Sequence, residues 1–279
     1  AAGARPTIPD IPGLKELCLT TDTVWGLQQV PARLLVLGGG PAGCELAQAM
    51  ARLGSSVTLV ERQSRLLTQE DEDVSRCVAD SLREEGVQIL TDCELLRCEF
   101  FNPSPGDTAA RSKRVVLRTG VPGSADQLLE VDEVLCAVGR SPRVQGYGLE
   151  ELGIELNERG GVHTNDFLQT RFPHIFAVGD VTGRRALTNL AAHQAWTATI
   201  NALFGRLKRW VCDDSAVPWA VFTDPEVARV GLSEMQAREQ GVAHEVTRYE
   251  FRELDRAIVD GRTRGFVKVL TAGRGDRIL

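Results

Sequence analysis

The sequence predicts an α/β protein with a parallel sheet in its first half and a smaller α+β layer near its C-terminal end. Residues 33–37, Arg-Leu-Leu-Val-Leu, have the pattern of a buried strand and lead directly into a glycine-rich turn at residues 38–43. Helix-forming residues 44–53 follow, and a second buried-strand pattern covers residues 56–60. This order of strand, helix and strand is typical of a parallel βαβ unit. From residue 212 onwards, short strands joined by one short helix indicate an antiparallel α+β layer.

The glycines of the turn have the spacing GxGxxG, at Gly38, Gly40 and Gly43. In a βαβ unit the first glycine permits a tight turn, the second lets the backbone approach a diphosphate, and the third lets the helix pack closely. The N-terminus of the helix then offers unpaired N–H groups to the phosphates. We therefore predict a dinucleotide site, and the alternative is a βαβ turn with a purely structural role. The residues assigned to this turn are Gly38, Gly39, Gly40, Pro41, Ala42 and Gly43.

An acidic residue, Glu61, ends the second strand 18 residues after Gly43. A carboxylate at this place can accept hydrogen bonds from the adenosine ribose and repels a 2′-phosphate, so the sequence favours NAD over NADP. Arg62 and Arg65 follow closely, and either would reverse this preference if it reached a 2′-phosphate. Both are more simply interpreted as solvated charges after the end of a strand.

The composition is that of an ordinary globular chain, with 43% hydrophobic and 25% charged residues. The length of 279 residues suggests about two domains. The net charge of −6 gives no reason to expect nucleic acid or an anionic membrane as a partner. No run reaches the roughly 18 apolar residues of a membrane-spanning helix, and the first residues lack a secretory signal pattern. We therefore expect a cytoplasmic location.

Seven cysteines are scattered along the chain without a CxxC motif, which favours reduced thiols over a disulfide framework. Cys93 and Cys98 have the CxxxxC spacing of some redox-active disulfides, but they follow a strand-like segment and no glycine lies between them. In an extended chain their sulfurs would lie roughly 16 Å apart and on opposite faces. A disulfide requires Cα atoms within about 7 Å, so we predict that this pair is structural.

The remaining segments of the first half predict further α/β structure. Residues 1–29 contain three prolines and resemble a connector more than a core element. A polar helix is expected at residues 71–85 and a strand at residues 87–91. Loops rich in turn residues, 102–107 and 121–126, separate the next apolar segments and suggest an antiparallel excursion from the sheet.

Residues 146–205 form a second part of the chain. A short apolar strand pattern at residues 175–178 ends at Gly179 and Asp180, and a long helix is expected at residues 187–204. An aspartate between the end of a strand and a helix is a common ligand position in open α/β sheets. A helix cap explains it equally well.

The C-terminal part predicts the α+β layer. Strands are expected at residues 217–222, 243–249 and 265–270, with a short helix at residues 233–240. The last residues, 277–279, have the pattern of another strand. Such a layer leaves a sheet edge exposed.

Several motifs together resemble the pyridine nucleotide-disulfide oxidoreductases, and most closely their mercuric reductase and dihydrolipoamide dehydrogenase branch. The resemblance covers nearly the whole chain, and the order and spacing of the motifs make it specific. These relatives are FAD flavoproteins, in which a hydride passes from the nicotinamide to the flavin and the electrons then reduce a disulfide. The motifs that carry the resemblance are residues 2–6, 38–45, 137–142, 164–170, 175–180 and 222–231.

The resemblance implies a role for several further residues. It adds weight to the assignment of the glycine turn and Glu61 to NAD, and it implies that Glu45 lies near the nicotinamide–flavin contact. Gly139 would line the nicotinamide end of the site. Asp180, preceded by Gly179, would be the hydrogen-bond partner of the flavin ribityl chain, so the ligand interpretation is preferred to the helix cap.

Two nearby residues receive no such role. Arg140 stays open between a site residue and a surface or hinge charge. His193 is interpreted as an ordinary helix residue, because the family's proton-handling histidine belongs to the far C-terminal end. No catalytic or metal-binding residue is assigned.

The resemblance also implies an order of domains. A Rossmann-like NAD-binding domain is inserted in the remnant of an FAD-binding domain, and a partial α+β dimerisation domain follows. The boundaries are 1–29 for a connector from the FAD domain, 30–145 for the NAD-binding domain, 146–211 for the C-terminal part of the FAD domain and 212–279 for the truncated dimerisation domain.

The family's first FAD-binding βαβ unit with its redox disulfide, and its C-terminal His–Glu pair, are not found in this sequence. We therefore expect a fragment that binds NAD(H) but turns over poorly by itself, with FAD binding doubtful. The intact protein is expected to be a homodimer.

Two alternatives stay open, a non-catalytic NAD(H)-binding or regulatory module and an inactive scaffold. The intact glycine turn and Glu61 count against the scaffold. The final electron acceptor stays open among metal ions, lipoamide, glutathione-like disulfides and quinones.

Overall fold

The computed structural model describes residues 1–101, 112–121, 123–273 and 275–279. The chain forms two compact units, the first from residues 1–7 and 139–219 and the second from residues 8–138 and 220–279. The loop expected at residues 102–107 lies outside the described residues.

The strands are β1 (Ala4–Pro6), β2 (Cys18–Thr20), β3 (Arg33–Leu37), β4 (Ser56–Val60), β5 (Gln88–Leu90), β6 (Cys93–Phe101), β7 (Ser112–Thr119), β8 (Gln127–Val131), β9 (Glu133–Cys136), β10 (Arg140–Pro142), β11 (Trp219–Val221), β12 (Val227–Arg229), β13 (His244–Glu250) and β14 (Phe266–Ala272). The α-helices are α1 (Leu14–Leu17), α2 (Pro41–Arg52), α3 (Glu72–Glu84), α4 (Thr188–Phe204), α5 (Glu234–Glu239) and α6 (Asp255–Val259).

The centre of the second unit is a five-stranded parallel sheet in the order β2-β9-β3-β4-β5. Side chains alternate along β3, so its residues enter two different cores. Leu34 and Val36 pack in one core with residues of α2 and α3. Leu35 and Leu37 pack in the other core with residues of α1, β6 and β7. The predicted βαβ unit and the polar helix α3 are therefore confirmed, and both helices lie on the same face of the sheet.

Strands β6, β7 and β8 form the predicted antiparallel excursion, a three-stranded sheet of its own. The pairing of β6 with β7 shifts register between Leu95 and Arg97. This β-bulge resets the alternation of side chains, and Cys93 and Cys98 consequently enter the same core. The expectation that the two sulfurs point to opposite faces is thus wrong, although both cysteines are free thiols on a strand, as predicted.

The N-terminal residues differ from the connector that the prolines suggested. Leu14 and Leu17 on α1 are buried in the second core of the sheet. The next residues form β2, the edge strand that pairs in parallel with β9. The apolar face of this short helix outweighs the nearby prolines, which end before residue 13.

The first unit contains the β1–β10 pair and the long helix α4, which was predicted. Residues 175–178, expected as a strand, make only one isolated bridge, between Phe176 and Gln169. A strand forms only where a neighbouring strand pairs with it along its length, and among the described residues this segment has a single bridge. The turn after this segment is a short 3₁₀ helix at Gly179–Thr182.

The C-terminal residues of the second unit form the predicted α+β layer. Strand β11 pairs with β12, and β13 pairs in antiparallel register with β14, so that His244 faces Ala272. The expected last strand, at residues 277–279, is a single bridge between Ile278 and Thr271. Among the residues that the structure describes, no helix has both the length and the apolar character needed to cross a membrane.

Candidate functional site

The turn between β3 and α2 is built around a close contact between helix and strand. Gly38 has a left-handed backbone with φ 109°, and its N–H donates to Val60 O at 2.8 Å. A Cβ atom on Gly43 would overlap the carbonyl oxygen of Gly38, so α2 can approach the turn only because position 43 has no side chain. The first bond into the helix runs from Cys44 N–H to Gly40 O at 3.0 Å.

The N-terminus of α2 is open to an incoming group. Gly40 is the N-cap residue and has no side chain to cap the helix, and Pro41 at the first position has no N–H. The N–H groups of Ala42 and Gly43 have no partner within the helix. Among the described residues, apart from Gly40, its chain neighbours and the backbone of the adjoining helix, no heavy atom lies within 4 Å of the position that a Cβ on Gly40 would occupy. Open space beside Gly40 therefore lies next to these donors and the positive end of the helix dipole.

Glu61 lies against this turn. Its Oε2 accepts the N–H of Gly39 at 2.6 Å, and its Oε1 accepts the N–H of Gln63 at 2.7 Å. The two bonds fix the orientation of the half-buried carboxylate, and each oxygen keeps a lone pair for a further donor. The structure thus brings the predicted glycine turn and the predicted acid together.

The two arginines after Glu61 have different surroundings. The guanidinium of Arg65 donates to Leu67 O at 3.2 Å and to Thr68 O at 3.0 Å, so it is held in its own turn. Arg62 is exposed. The interpretation of Arg65 as a solvated charge is therefore only partly right, since two carbonyl groups hold it.

The outer side of α2 holds a segment of the C-terminal layer. Glu45 Oε1 accepts the N–H of Phe222 at 2.8 Å. Gln48 is buried and binds both main-chain groups of Asp224, accepting from its N–H at 2.8 Å and donating to its carbonyl at 2.9 Å. No sequence pattern marks Gln48, because its partner Asp224 is 176 residues away.

The other predicted residues lie in the first unit. Gly139 is exposed, with φ 118°, and its carbonyl accepts the N–H of Thr7 at 2.9 Å. Arg140 donates to Ala4 O at 2.8 Å, which supports its structural interpretation. His193 is an exposed residue of α4, consistent with the ordinary helix residue that was expected.

Gly179 and Asp180 start the 3₁₀ turn that precedes α4. The N–H of Gly179 donates to Gln194 Oε1 at 2.7 Å, and its carbonyl accepts from Thr182 Oγ1 at 2.8 Å. Asp180 is half-exposed at the start of this turn. Gln194 was not identified from the sequence, because a glutamine within a helix carries no motif.

The buried thiols of Cys44, Cys93 and Cys98 are protonated and unreactive at neutral pH. Burial raises the pKa of Cys98 to about 11, and it raises the pKa of Cys93 as well. Burial also raises the pKa of Cys44, beside the glycine turn, to about 12. The thiolate is the reactive form, so none of these three side chains is activated at neutral pH.

Comparison with known proteins identifies the family. The profile of the family described as "Pyridine nucleotide-disulphide oxidoreductase" matches residues 1–195. The profile described as "Pyridine nucleotide-disulphide oxidoreductase, dimerisation domain" matches residues 217–279. Together the two profiles span most of the chain.

Individual relatives agree with this result. Mercuric reductase of Streptomyces lividans is 38% identical over 276 residues, which are 99% of this chain and 55% of the relative. Dihydrolipoyl dehydrogenase of Chlamydia muridarum is 31% identical over 100% of this chain and 57% of its own length. The HOCl-induced flavoprotein disulfide reductase RclA from Escherichia coli has a similar structure, with a TM-score of 0.85 and 32% identity over 100% of this chain and 61% of that protein.

The chain spans somewhat more than half the length of these relatives. The match to both profiles and the likeness in structure lead to the same result. The chain belongs to the pyridine nucleotide-disulphide oxidoreductase family.

Proposed function

We propose that this chain carries the nicotinamide dinucleotide site of an FAD-dependent pyridine nucleotide-disulfide oxidoreductase. The observation that supports this most directly is the β3–α2 turn, which is closed at Gly43 and open at Gly40, with the Glu61 carboxylate held against Gly39. In the proposed reaction a hydride passes from the nicotinamide to FAD, and the electrons then go to a disulfide or another acceptor.

The turn fits the diphosphate of such a cofactor. The N–H groups of Ala42 and Gly43 would bind the phosphate oxygens, and the open space beside Gly40 would let the diphosphate come close. Glu61 would accept the ribose hydroxyl groups, since each of its oxygens has a lone pair to spare. Glu45, on the following turn of α2, would lie near the nicotinamide, with its carboxylate held by the N–H of Phe222. These are binding and orienting roles, and the bound nicotinamide and flavin supply the redox chemistry.

NAD is the preferred cofactor in this proposal. A 2′-phosphate would come close to the fixed carboxylate of Glu61, and the two negative charges would repel. Of the two arginines that follow Glu61, Arg62 is exposed and the Arg65 guanidinium is bonded to two main-chain carbonyls. At Arg65 a 2′-phosphate would therefore compete for bonds that are already made.

The first unit would contribute to the flavin site. Its Gly179–Asp180 turn presents a half-exposed carboxylate that can accept hydrogen bonds from the hydroxyl groups of the ribityl chain. We also propose that the intact protein is a homodimer, on the basis of the dimerisation profile that matches residues 217–279.

Calorimetric titration of the chain with NADH, NADPH and ADP-ribose tests the dinucleotide site. We expect NADH and ADP-ribose to bind and NADPH to bind more weakly. An absorption spectrum with added FAD, together with an assay of NADH oxidation, tests the flavin part. Binding of NADH with no uptake of FAD would favour the non-catalytic module, and robust flavin-dependent NADH oxidation by this chain would contradict the expected lack of turnover.

A further inference from the structure

A buried amide on α4 lies against the turn that carries Asp180. Gln194 is 0% exposed, and its Oε1 accepts the N–H of Gly179 at 2.7 Å. Its Nε2 is also buried and has no hydrogen-bond partner among the described residues. The two atoms share one carbon and lie roughly 2.3 Å apart, given ordinary C=O and C–N bond lengths. The unpartnered donor is therefore next to the turn.

Packing alone does not explain a glutamine at this position. A buried amide N–H₂ without a partner disfavours the folded state, because it loses its hydrogen bonds to water. A methionine of similar length would fill the same space without this cost. What the Gln194 side chain does in the structure is to hold the N–H of Gly179.

The position of Gly179 is restricted from several sides. Its backbone is left-handed, with φ 74°, and a Cβ atom there would lie 3.2 Å from the Cβ of Ala191 on α4. Gln194 is three residues after Ala191, so both side chains lie on the same face of the helix. On the other side of Gly179, Thr182 Oγ1 donates to its carbonyl at 2.8 Å. Both main-chain groups of the residue before Asp180 are thus bound by side chains.

Hydrogen bonds also hold the other main-chain groups of the turn, whereas the carboxylate of Asp180 has no such partner among the described residues. The carbonyl of Thr182 accepts from Asn157 Nδ2 at 2.7 Å, and the carbonyl of Val181 accepts the N–H of Val162 at 2.8 Å. The half-exposed carboxylate of Asp180, in contrast, makes no hydrogen bond or ion pair with any described residue. A rigid turn that presents an unused acceptor is organised for a ligand before the ligand arrives.

We propose that Gln194 is a positioning residue for the Asp180 carboxylate, acting through the N–H of Gly179. The carboxylate would accept from the hydroxyl groups of a ribityl chain, so this inference rests on the flavin part of the proposed function. Gln194 itself does not touch the ligand in this scheme.

The test measures FAD binding by the full chain through quenching of flavin fluorescence. Gln194→Met removes the acceptor for Gly179 and keeps the length of the side chain. Gln194→Glu keeps a carbonyl oxygen, and burial raises the pKa of a carboxyl group at such a place, so the side chain stays neutral. Lumiflavin, which lacks the ribityl chain, is the control ligand, and Asp180→Asn is the reference variant.

We expect Gln194→Met to weaken FAD binding about tenfold, which corresponds to about 1.4 kcal/mol, and to leave lumiflavin binding unchanged. Amide hydrogen exchange at Gly179 should become faster in the same variant. Gln194→Glu should keep FAD affinity within about twofold of the wild type, since the bond to Gly179 survives. Thr182→Val, which removes the bond to the Gly179 carbonyl, should also weaken FAD binding. This second variant keeps the test usable if Gln194→Met does not fold.

Three results with the variants would overturn the inference. They are equal FAD affinity in the wild type and in Gln194→Met, equal loss of FAD and lumiflavin, and a Gln194→Glu variant as weak as Gln194→Met. Failure of the wild-type chain to bind FAD, with NADH still bound, would also overturn it and leave the dinucleotide site intact. Failure to bind NADH as well would contradict the proposed function itself.

Discussion

Replacement of Gly40 by valine tests the dinucleotide site with little disturbance of the fold. Gly40 has φ −76°, which any residue can adopt, and the described residues beyond its own chain segment leave the space within 4 Å of its Cβ position open. The valine side chain would therefore project into the open space through which, in the proposed function, the diphosphate approaches Ala42 and Gly43. Loss of two charge-assisted hydrogen bonds, at about 1.5–3 kcal/mol each, amounts to roughly 3–6 kcal/mol. NADH affinity should fall by a factor of about 10² to 10⁴.

The fold should survive the same substitution. A β-branched residue in place of glycine at an N-cap costs about 1 kcal/mol, or roughly 2–4 °C in Tm for a chain of this size class. Gly26→Val is a matched control, because Gly26 also has open space around its Cβ position and lies in a different element. We expect calorimetry to show NADH binding in the control and none in Gly40→Val. Equal heats in Gly40→Val and the wild type would refute the placement of the diphosphate.

Three further perturbations test the site, the charge network and the thiols. Glu61→Gln keeps an acceptor for the Gly39 N–H but loses the charge. It should weaken NADH binding roughly tenfold and reduce the preference for NADH over NADPH. An unchanged ratio of the two dissociation constants would argue against the role of the carboxylate. The side chain of Lys268 on β14 is 9% exposed, and its Nζ lies 2.7 Å from Asp71 Oδ2. Burial alone would raise the pKa of Asp71, but the bonds from Lys268 and from two main-chain N–H groups lower it overall. The stability difference between wild type and Lys268→Met, measured by urea unfolding at each pH, should therefore be constant around neutral pH and shrink in acid, as the pH falls through the lowered pKa of Asp71. Cys98, whose pKa burial raises to about 11, should resist iodoacetamide at pH 8 in the folded protein and react in urea; rapid alkylation under native conditions would show that this thiol is accessible.

The elements that the sequence predicted well are those whose cause is local. The alternation of strand, glycine turn and helix at residues 33–60 needs no distant partner to be recognised, and the structure reproduces it. The segment at residues 175–178 has the same apolar character, but a strand exists only when a neighbour pairs with it, and one bridge forms. The faces of Cys93 and Cys98 were misjudged for a related reason, because the β-bulge between them arises from the pairing with β7.

In the candidate site, too, the residues that the sequence predicted are those marked by a local pattern. The glycine turn and Glu61 could be predicted from their spacing alone. In a βαβ unit the two strands are parallel neighbours, so the C-terminal end of the second strand lies beside the C-terminal end of the first. The residues that hold the site in place were not found. Gln48 and Gln194 are glutamines on helices, and their roles depend on which main-chain groups the fold brings to them. A polar residue with a long-range partner has no periodicity to reveal it.

Asp71 shows how such partners tie the site to the C-terminal layer. It is the N-cap residue of α3, yet its carboxylate makes no bond to its own helix and accepts the N–H groups of Glu234 at 3.1 Å and Met235 at 2.9 Å. Local rules would assign this carboxylate to α3, whereas the fold uses it to cap α5. The loop between Glu61 and Asp71 is held at its other side by the bond from Leu67 N–H to Gly39 O, at 2.8 Å. The segment that follows Glu61 is thus held both by the glycine turn and by the C-terminal layer, and both belong to the same compact unit.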